Sequence, residues 1–388
     1  MLIDGFTPLK VIRPGSVAEL GDCIRASAAD KYAIYPVGGA TTLNMGLPPK
    51  KPGVAVDITA LNDVIDYPAR DMTITVQAGI SLAKLQAALA SENQWLPIDV
   101  PQPEKSTLGG AIAVNASGSR RYGYGTLRDY LIGITVMTDE GAEAKAGGRV
   151  VKNVAGYDLM KLHIGALGTL GIISQVTLKV RPRPESSKRV CIRSTSALLT
   201  PLLDQIHASK TRPVCVDVVH DAPDWVIEIG FDDNADAVRW QQRQLADEIG
   251  MICQATVTSD RNDALASMTN TGTAVAFRAN MLPSAVPEFL IAAVDLAAPN
   301  SIRAHAGSGI VCGTLGNELT LAQATPILVH LRNRAIGSHG SLIVTHCPLE
   351  WKHELPLWGE PRPDWQLMRS VKTQLDPQNL FNPGRFIV

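Results

Sequence analysis

The sequence predicts an α+β protein of two domains, from the order of its segments and from a proline pair near the middle of the chain. In the first half, helical segments alternate with short runs of β-branched residues, and the last run stops at Pro182 and Pro184. Beyond this pair the pattern is typical of antiparallel strands with helices on one face. We therefore expect domains at 1–184 and 185–360, followed by a C-terminal helix and tail at 361–388 that returns to the first domain.

The elements of the first half each have a local signal. Residues 16–30 begin with Ser16 and have Glu19 three positions later, a capping box that predicts a helix. Residues 81–93 predict an amphipathic helix that begins at a capping serine, Ser81. Alternating apolar residues predict the strands YAIYPV, GVAVDIT, MTITVQAG, YLIGITVMTDEG and GIISQVTLKVRPRP.

The second half repeats the alternation with longer helices. Strands are predicted for PVCVDVVH, DWVIEIGFD, TAVAFRAN and SLIVTH. Helices are predicted for NADAVRWQQRQLADEIG, SAVPEFLIAAVDLAA and LTLAQATPILVHLRNRAIG. The proline-rich link GEPRPDW then leads into a helix at 364–375 and the tail LDPQNLFNPGRFIV.

Composition excludes several classes of function. The 36 basic and 37 acidic residues give a net charge of -1, so nothing indicates nucleic-acid binding. The six cysteines form no C-x-x-C pair, which argues against an iron–sulfur cluster or a zinc ribbon in this chain. We see no export signal and no apolar run long enough for a bilayer, and we expect a cytoplasmic protein with reduced thiols.

Four glycine-bearing segments lie in the first 180 residues: VGGATT, STLGGAIAVNASGS, RYGYGTLRDY and GALGTLGII. Taken singly, each is best explained as a tight turn. Together they favour one extended anionic ligand, such as a dinucleotide with a pyrophosphate, which backbone amides approach from several sides. The helical segment that begins near Thr107 is a further candidate for free amides. An NAD-binding Rossmann fold is improbable, because no G-x-G-x-x-G opens a helix after the first strand.

These segments, with VDITALNDVI and TVQAGISLAKLQAAL between them, resemble in order the FAD-binding domain of the vanillyl-alcohol oxidase type, over roughly residues 10–183. VVKNVAGYDLMKL and LFNPGRF are most similar to the flavin-binding subunits of bacterial glycolate oxidase and their D-2-hydroxy-acid dehydrogenase relatives. The resemblance implies a two-subdomain PCMH-type FAD-binding domain and an α+β cap domain with an antiparallel sheet.

The resemblance also implies which residues contact FAD. Some relatives attach FAD through a histidine just after the two glycines; Ala40 stands there, so we expect non-covalent FAD. We expect a side chain at Gly39 to enter the space of the pyrophosphate. For Gly168 and Gly171 the alternative is helix-to-strand packing. The implied FAD contacts are Gly38, Gly39, Ala40, Thr41, Thr42, Thr107, Gly109, Gly110, Asn115, Gly118, Gly168, Gly171 and Ile172.

The candidate catalytic residues are His305 as the base, Arg303 or Arg385 as the group that holds a carboxylate, and Lys152 near the flavin ring. Each has a structural alternative: a histidine hydrogen-bonded in a strand, an arginine that anchors the tail, and a solvated or paired lysine. Catalytic relatives carry an H-x-H pair and a G-D-G-N run, whereas RAHAGSGIVCG keeps only His305. We therefore expect no metal.

The departure from that pattern resembles the smaller flavin subunit of glycolate oxidase. This implies an FAD-dependent subunit that oxidises a 2-hydroxy acid beside a larger flavin subunit and an iron–sulfur subunit, with membrane contact only through partners. Two alternatives stay open. The chain is either a self-sufficient FAD oxidoreductase for another alcohol or hydroxy acid, or a non-catalytic scaffold that keeps the fold.

Overall fold

The computed structural model describes residues 1–148, 157–250, 252 and 273–387, which form two compact units. The first unit comprises Met1–Ser117, Thr126–Arg183 and the chain from Pro361 on, and the second comprises Gly118–Gly125 and Pro184–Glu360. The sequence did not predict that Gly118–Gly125 would belong with the second unit.

This segment joins the second unit through a close backbone approach. The Gly123 amide donates to the Val214 carbonyl at 3.1 Å, and a Cβ at Gly123 would lie 2.6 Å from the Val214 Cα. The Tyr124 hydroxyl donates to the Asp232 carboxylate at 3.1 Å. Gly123 of RYGYG is therefore needed for packing inside the second unit.

All strands and helices predicted from the sequence are present, and others appear beside them. The strands of the described residues are β1 (Lys10–Ile12), β2 (Ala33–Val37), β3 (Gly53–Asp57), β4 (Val64–Asp66), β5 (Thr73–Gln77), β6 (Gln94–Trp95), β7 (Leu131–Met137), β8 (Glu143–Gly147), β9 (Ile172–Lys179), β10 (Arg181–Pro182), β11 (Ser186–Ser194), β12 (Cys215–Asp221), β13 (Asp224–Asp233), β14 (Thr273–Asn280), β15 (Ser301–His305), β16 (Ile310–Gly316) and β17 (Ser341–His346). The α-helices of these residues are α1 (Val17–Ala29), α2 (Leu82–Ala90), α3 (Leu108–Ala113), α4 (Arg121–Tyr124), α5 (Leu127–Tyr130), α6 (Ser196–Ala208), α7 (Ala235–Ile249), α8 (Val286–Ala297), α9 (Leu321–Gly337) and α10 (Asp364–Leu375).

The first unit is built on two sheets. A three-stranded parallel sheet has the order β1-β3-β2, with α1 as the crossover that parallel strands require. An antiparallel sheet has the order β4-β5-β9-β7-β8. The predicted serine caps are confirmed: the Ser16 Oγ accepts from the Glu19 amide, and the Ser81 Oγ accepts from the Lys84 amide, each at 3.1 Å. The capping box predicted for Ser16 and Glu19 is only half formed, because the Glu19 carboxylate accepts from the Gly15 amide at 2.9 Å.

The second unit is built on one antiparallel sheet with the order β11-β13-β12-β15-β16-β14-β17. Apolar side chains alternate along these strands and are buried on the face that α6 to α9 cover. The opposite face carries charged residues, which are described below. This arrangement confirms the predicted α+β class.

The C-terminal tail is part of the first unit. The Ile34 amide of β2 donates to the Leu380 carbonyl at 2.8 Å, and the Asn382 amide donates back to the Ile34 carbonyl at 2.9 Å. Phe381 is fully buried in the core of this unit. In the part of the chain that the structure describes, no helix is both long enough and apolar enough to span a bilayer.

Candidate functional site

The first glycine loop follows β2 and packs against residues 105–107. A Cβ at Gly39 would lie 1.7 Å from the Lys105 carbonyl oxygen, and one at Gly38 would lie 2.1 Å from the Thr107 Oγ1. Both contacts leave no room for a side chain. The expectation that a side chain at Gly39 would enter the anion's space is therefore wrong, because that direction already faces the backbone of Lys105.

The amides of this loop are available to a ligand. The N–H groups of residues 38–42 donate to no other group in the described part of the chain. Ala40 adopts a left-handed conformation with φ 57°, which is typical of the concave amide nests that bind anions. Ala40 and Thr42 are exposed, so the nest is open to solvent. The loop fits a pyrophosphate, and the Ala40 methyl group offers no atom for a covalent bond to flavin.

The second glycine segment, STLGGAIAVNASGS, does not offer the free amides that were expected near Thr107. Thr107 caps α3, and its Oγ1 accepts from the Gly110 amide at 3.2 Å. The Leu108 and Gly109 amides donate to carbonyls of residues 80 and 78, at 2.9 and 2.8 Å. The start of α3 therefore offers none of these three amides to an anion, because the turn before α2 already uses two of them and the cap uses the third. Contacts of Gly109 and Gly110 with FAD stay predictions.

Three of the four glycine segments nevertheless meet inside the first unit, whereas RYGYG belongs to the second. The Leu167 amide donates to the Ala113 carbonyl at the end of α3, at 2.9 Å. The Leu167 carbonyl accepts from Asn382 Nδ2 of the tail at 2.7 Å. Gly168 has φ 65°, and a Cβ there would lie 3.6 Å from Pro36 of β2. The ends of β2 and α3, the turn at residues 165–168 and the tail therefore lie together.

The remaining predicted FAD contacts are distributed around this region. A Cβ at Gly171 would lie 2.6 Å from Val136 Cγ1 on β7, so packing alone accounts for that glycine, and Ile172 is buried in β9. Asn115 is exposed with φ 51°, just beyond α3. Gly118 belongs to the second unit. Their roles toward FAD stay predictions.

Arg385 is held by the chain that follows the glycine loop. Its guanidinium donates to the Asp4 carboxylate at 3.0 Å and to the carbonyls of Leu47 at 2.8 Å and Met45 at 3.0 Å, and also to the Leu43 carbonyl. The side chain is only 7% exposed, and this burial lowers the pKa of Arg385. These contacts support the anchoring interpretation of Arg385 over that of a substrate-binding arginine.

Lys152 lies outside the described residues, so its role near the flavin stays a prediction. Tyr157 and Asp158 are exposed, and Asp158 precedes a short 3-10 helix, Leu159–His163, without a side-chain capping bond. Asp158 therefore does not cap this helix.

His163 gives the first unit a pH-dependent stability. Burial lowers the pKa of His163 to about 4. The unfolded chain, with an ordinary histidine pKa near 6.5, takes up a proton between about pH 6.5 and pH 4 that the folded protein does not. Stability therefore falls as the pH drops through this window, by at most about 3 kcal/mol. We expect His163→Gln to flatten the pH dependence of urea unfolding there, whereas the exposed His207→Gln leaves it unchanged. Equal slopes in the wild type and His163→Gln would contradict this.

In the second unit, His305 is paired with a buried carboxylate. Asp217 of β12 lies directly opposite His305 of β15, and its Oδ1 is 2.9 Å from the His305 Nδ1. The Asp217 side chain is 0% exposed and that of His305 is 13% exposed. The His305 Nε2 has no hydrogen-bond partner among the described residues. The sequence alone did not indicate Asp217, which is 88 positions away from His305.

Arg303 is on the same side of β15, two residues before His305, and pairs in register with Cys312 of β16. Cys312 pairs on its other side with Arg278 of β14, so both arginines lie on one face of the sheet. Neither arginine makes a hydrogen bond or ion pair to a described residue, and the Arg278 Nε is buried without a partner. Arg278 was not among the candidate residues, because it lies in a predicted strand and no sequence motif marks it. We define the polar face as Arg189, Asp217, Glu228, Arg278, Arg303, His305 and Cys312.

The side chains of the polar face are not arranged as a metal site. Among the described residues, no three or more His, Cys, Asp or Glu side chains are arranged to hold a metal ion. The expectation that the whole protein binds no metal stays a prediction.

Comparisons with known proteins agree with the amide nest. Residues 8–147 match the FAD binding domain family. Glycolate oxidase subunit GlcD of Bacillus subtilis is 26% identical over 97% of this chain and 88% of its own length. D-2-hydroxyglutarate dehydrogenase of Xanthomonas citri is 36% identical over 46% of this chain, and glycolate oxidase subunit GlcE of Escherichia coli is 34% identical over 42%. The chain spans less than half the length of these last two relatives, 38% and 47%.

A solved structure has a similar fold. An alkyldihydroxyacetonephosphate synthase matches with a TM-score of 0.72 at 18% identity, over 96% of this chain and 76% of its own. The free amides at residues 38–42, the matched domain and the shared fold lead to one conclusion. Residues 8–147 form an FAD binding domain, and the cofactor is FAD.

Proposed function

We propose that this chain is the FAD-binding subunit of a glycolate oxidase-type complex, which oxidises a 2-hydroxy acid, with glycolate to glyoxylate as the first candidate reaction. The polar face carries the proposal. There, one strand presents a histidine backed by a buried carboxylate beside an arginine that has no partner in the described residues. The names of the GlcD and GlcE relatives support the choice of substrate and of a multi-subunit assembly.

The residues supply two of the three things that the reaction needs. Arg303 binds the substrate carboxylate through the planar donor fork of its guanidinium. The His305 Nε2 accepts the hydroxyl proton of the substrate. FAD, when bound, accepts the hydride from the α-carbon. The substrate thus loses one proton to the histidine and two electrons with a hydride to the flavin.

Arg278 strengthens the anion site. Two half-buried guanidinium groups flanking Cys312 repel one another, and a buried charge without a partner is costly. An anionic substrate relieves both costs when it binds between them. We therefore add Arg278 to Arg303 as a group that recognises the carboxylate.

The electrons taken from the substrate would need an acceptor beyond this chain. No C-x-x-C pair occurs in the sequence, so we propose a larger flavin subunit and an iron–sulfur subunit as the acceptor chains. FAD is held non-covalently in this proposal, since Ala40 replaces the histidine through which relatives attach it. Membrane contact, in this proposal, occurs through the partners.

We expect His305→Gln to retain FAD but to slow its reduction by glycolate about 100-fold or more, because the hydroxyl proton then has no acceptor. The measurement is the anaerobic loss of oxidised-flavin absorbance, with the complex purified from its host. The exposed His353→Gln in the same unit serves as the matched control and should react at the wild-type rate.

Two other outcomes would decide against the proposal. A wild-type complex whose flavin no 2-hydroxy acid reduces would favour a scaffold role. Full turnover by the isolated chain with an artificial electron acceptor would favour a self-sufficient oxidoreductase.

A further inference from the structure

The Asp217–His305 pair has the geometry of a positioning carboxylate behind a histidine base. Asp217 is fully buried in the middle of the sheet, and its Oδ1 lies 2.9 Å from the His305 Nδ1. The His305 side chain is partly exposed, so part of its ring is accessible to solvent, whereas the Asp217 side chain is not. The two residues meet because the antiparallel register of β12 and β15 places them directly opposite each other.

We propose that Asp217 is a positioning residue that holds His305 in the Nδ1–H tautomer and keeps the Nε2 lone pair free to accept a proton. The inference rests on the proposed function, in which His305 is the base. Asp217 is ionised in this proposal; an ionised carboxylate only accepts hydrogen bonds, so the proton of the 2.9 Å contact is then on Nδ1. Neutral imidazole has one N–H, and Nε2 is then the acceptor.

The same contact supports the transfer itself. When the substrate hydroxyl proton moves to Nε2, the ring becomes an imidazolium, and the adjacent carboxylate stabilises that charge without taking the proton. The proton is balanced by the hydride that leaves the same substrate. Asp217 touches neither the substrate nor the flavin in this account and acts through His305.

The neighbouring groups argue against a purely structural role for the carboxylate. The Asp217 Oδ2 has no hydrogen-bond partner. Glu228 faces Asp217 from β13, and its Oε2 has no hydrogen-bond partner either. Arg189 Nη1 lies 3.6 Å from that Glu228 oxygen, so the nearest cation serves Glu228. A buried carboxylate with an unsatisfied oxygen costs stability, and an apolar residue would pack this sheet better. The presence of the Asp217 carboxylate at this position is explained if its charge is needed at His305.

The test is nitrogen NMR of the full chain with FAD bound, ¹⁵N-labelled at its histidines, and with the His305 signals assigned from His305→Gln. We expect a protonated Nδ1 and an unprotonated Nε2 in the wild type. In Asp217→Asn the amide donates to Nδ1, so the ring should change to the Nε2–H tautomer. Glu228→Gln is the matched control: it removes the neighbouring buried carboxylate and should leave the His305 tautomer unchanged.

Kinetics of the complex provide the second readout. Asp217→Asn should lower kcat about 100-fold or more, as loss of the correct tautomer does in other histidine dyads, with KM changed less than about threefold. A purely structural role would instead reduce FAD content or stability without changing the tautomer.

The proposal is overturned if wild-type His305 carries its proton on Nε2, a measurement that does not depend on how the variant folds. It is also overturned if Asp217→Asn keeps the wild-type tautomer and kcat. Full activity of His305→Gln would be a different result. It would show that His305 is not the base, whatever tautomer Asp217 imposes.

Discussion

Gly39→Val is expected to abolish FAD retention. A Cβ at Gly39 would lie 1.7 Å from the Lys105 carbonyl oxygen, so even the first atom of a valine side chain forces the loop away from residues 105–107. This displacement disturbs the amide nest at residues 38–42. Losing several hydrogen bonds to a charged group, at about 1.5–3 kcal/mol each, should weaken FAD affinity at least about 100-fold.

The measurement is FAD content after purification, followed by titration of the apoprotein with FAD and detection by quenching of flavin fluorescence. Gly337→Ala is the matched control, because a Cβ at Gly337 meets nothing within 4 Å. Circular dichroism of both apoproteins separates a lost ligand from a lost fold. Retention of full flavin by Gly39→Val would show that the pyrophosphate is bound elsewhere.

Arg385→Met is expected to destabilise the first unit by about 3–5 kcal/mol. The variant keeps much of the buried aliphatic volume but leaves the Asp4 carboxylate buried without its cation. It also removes the donors from three carbonyls, those of Leu43, Met45 and Leu47. Because these carbonyls belong to the chain just beyond Thr42, we expect FAD affinity to fall as well, about tenfold or more.

Urea unfolding and FAD titration measure the two effects. Arg362→Met removes an exposed ion pair with Asp364 in the same C-terminal segment and should cost less than about 1 kcal/mol. Adding Asp4→Asn to Arg385→Met should recover part of the lost stability, since the carboxylate that has lost its guanidinium partner is then neutral. If Arg385→Met kept its stability and its FAD but raised KM for the hydroxy acid, Arg385 would bind substrate after all.

Local signals explain why most elements were predictable. Alternating apolar residues identify β3, β5, β7 and β9, which bury side chains in the core of the first unit. Serine caps mark the starts of α1 and α2 in the sequence itself. The order of the glycine segments was enough to indicate an FAD-binding domain, because each segment is a short, local piece of backbone.

β11, α6, β15 and β16 of the second unit were not predicted, and the first two were missed for clear physical reasons. β11 is an edge strand whose residues in the sequence SSKRVCIRS do not alternate cleanly, since the strand carries Arg189 on the polar face. α6 contains Pro201, which argues against a helix, yet the helix forms because the burial of Leu199, Leu202, Leu203 and Ile206 outweighs the lost hydrogen bond.

The candidate site also has one part that the sequence predicts and another that only the tertiary structure shows. Residue order, through the family resemblance, predicts an FAD loop without a cation and a histidine that lacks the H-x-H and G-D-G-N residues of the catalytic relatives. Tertiary structure alone decided that Arg385 anchors the loop, that the start of α3 spends its amides on its own neighbours, and that Asp217 backs His305. The reason is distance along the chain: these pairings depend on strand register and on contacts between segments tens or hundreds of residues apart, which no local pattern encodes.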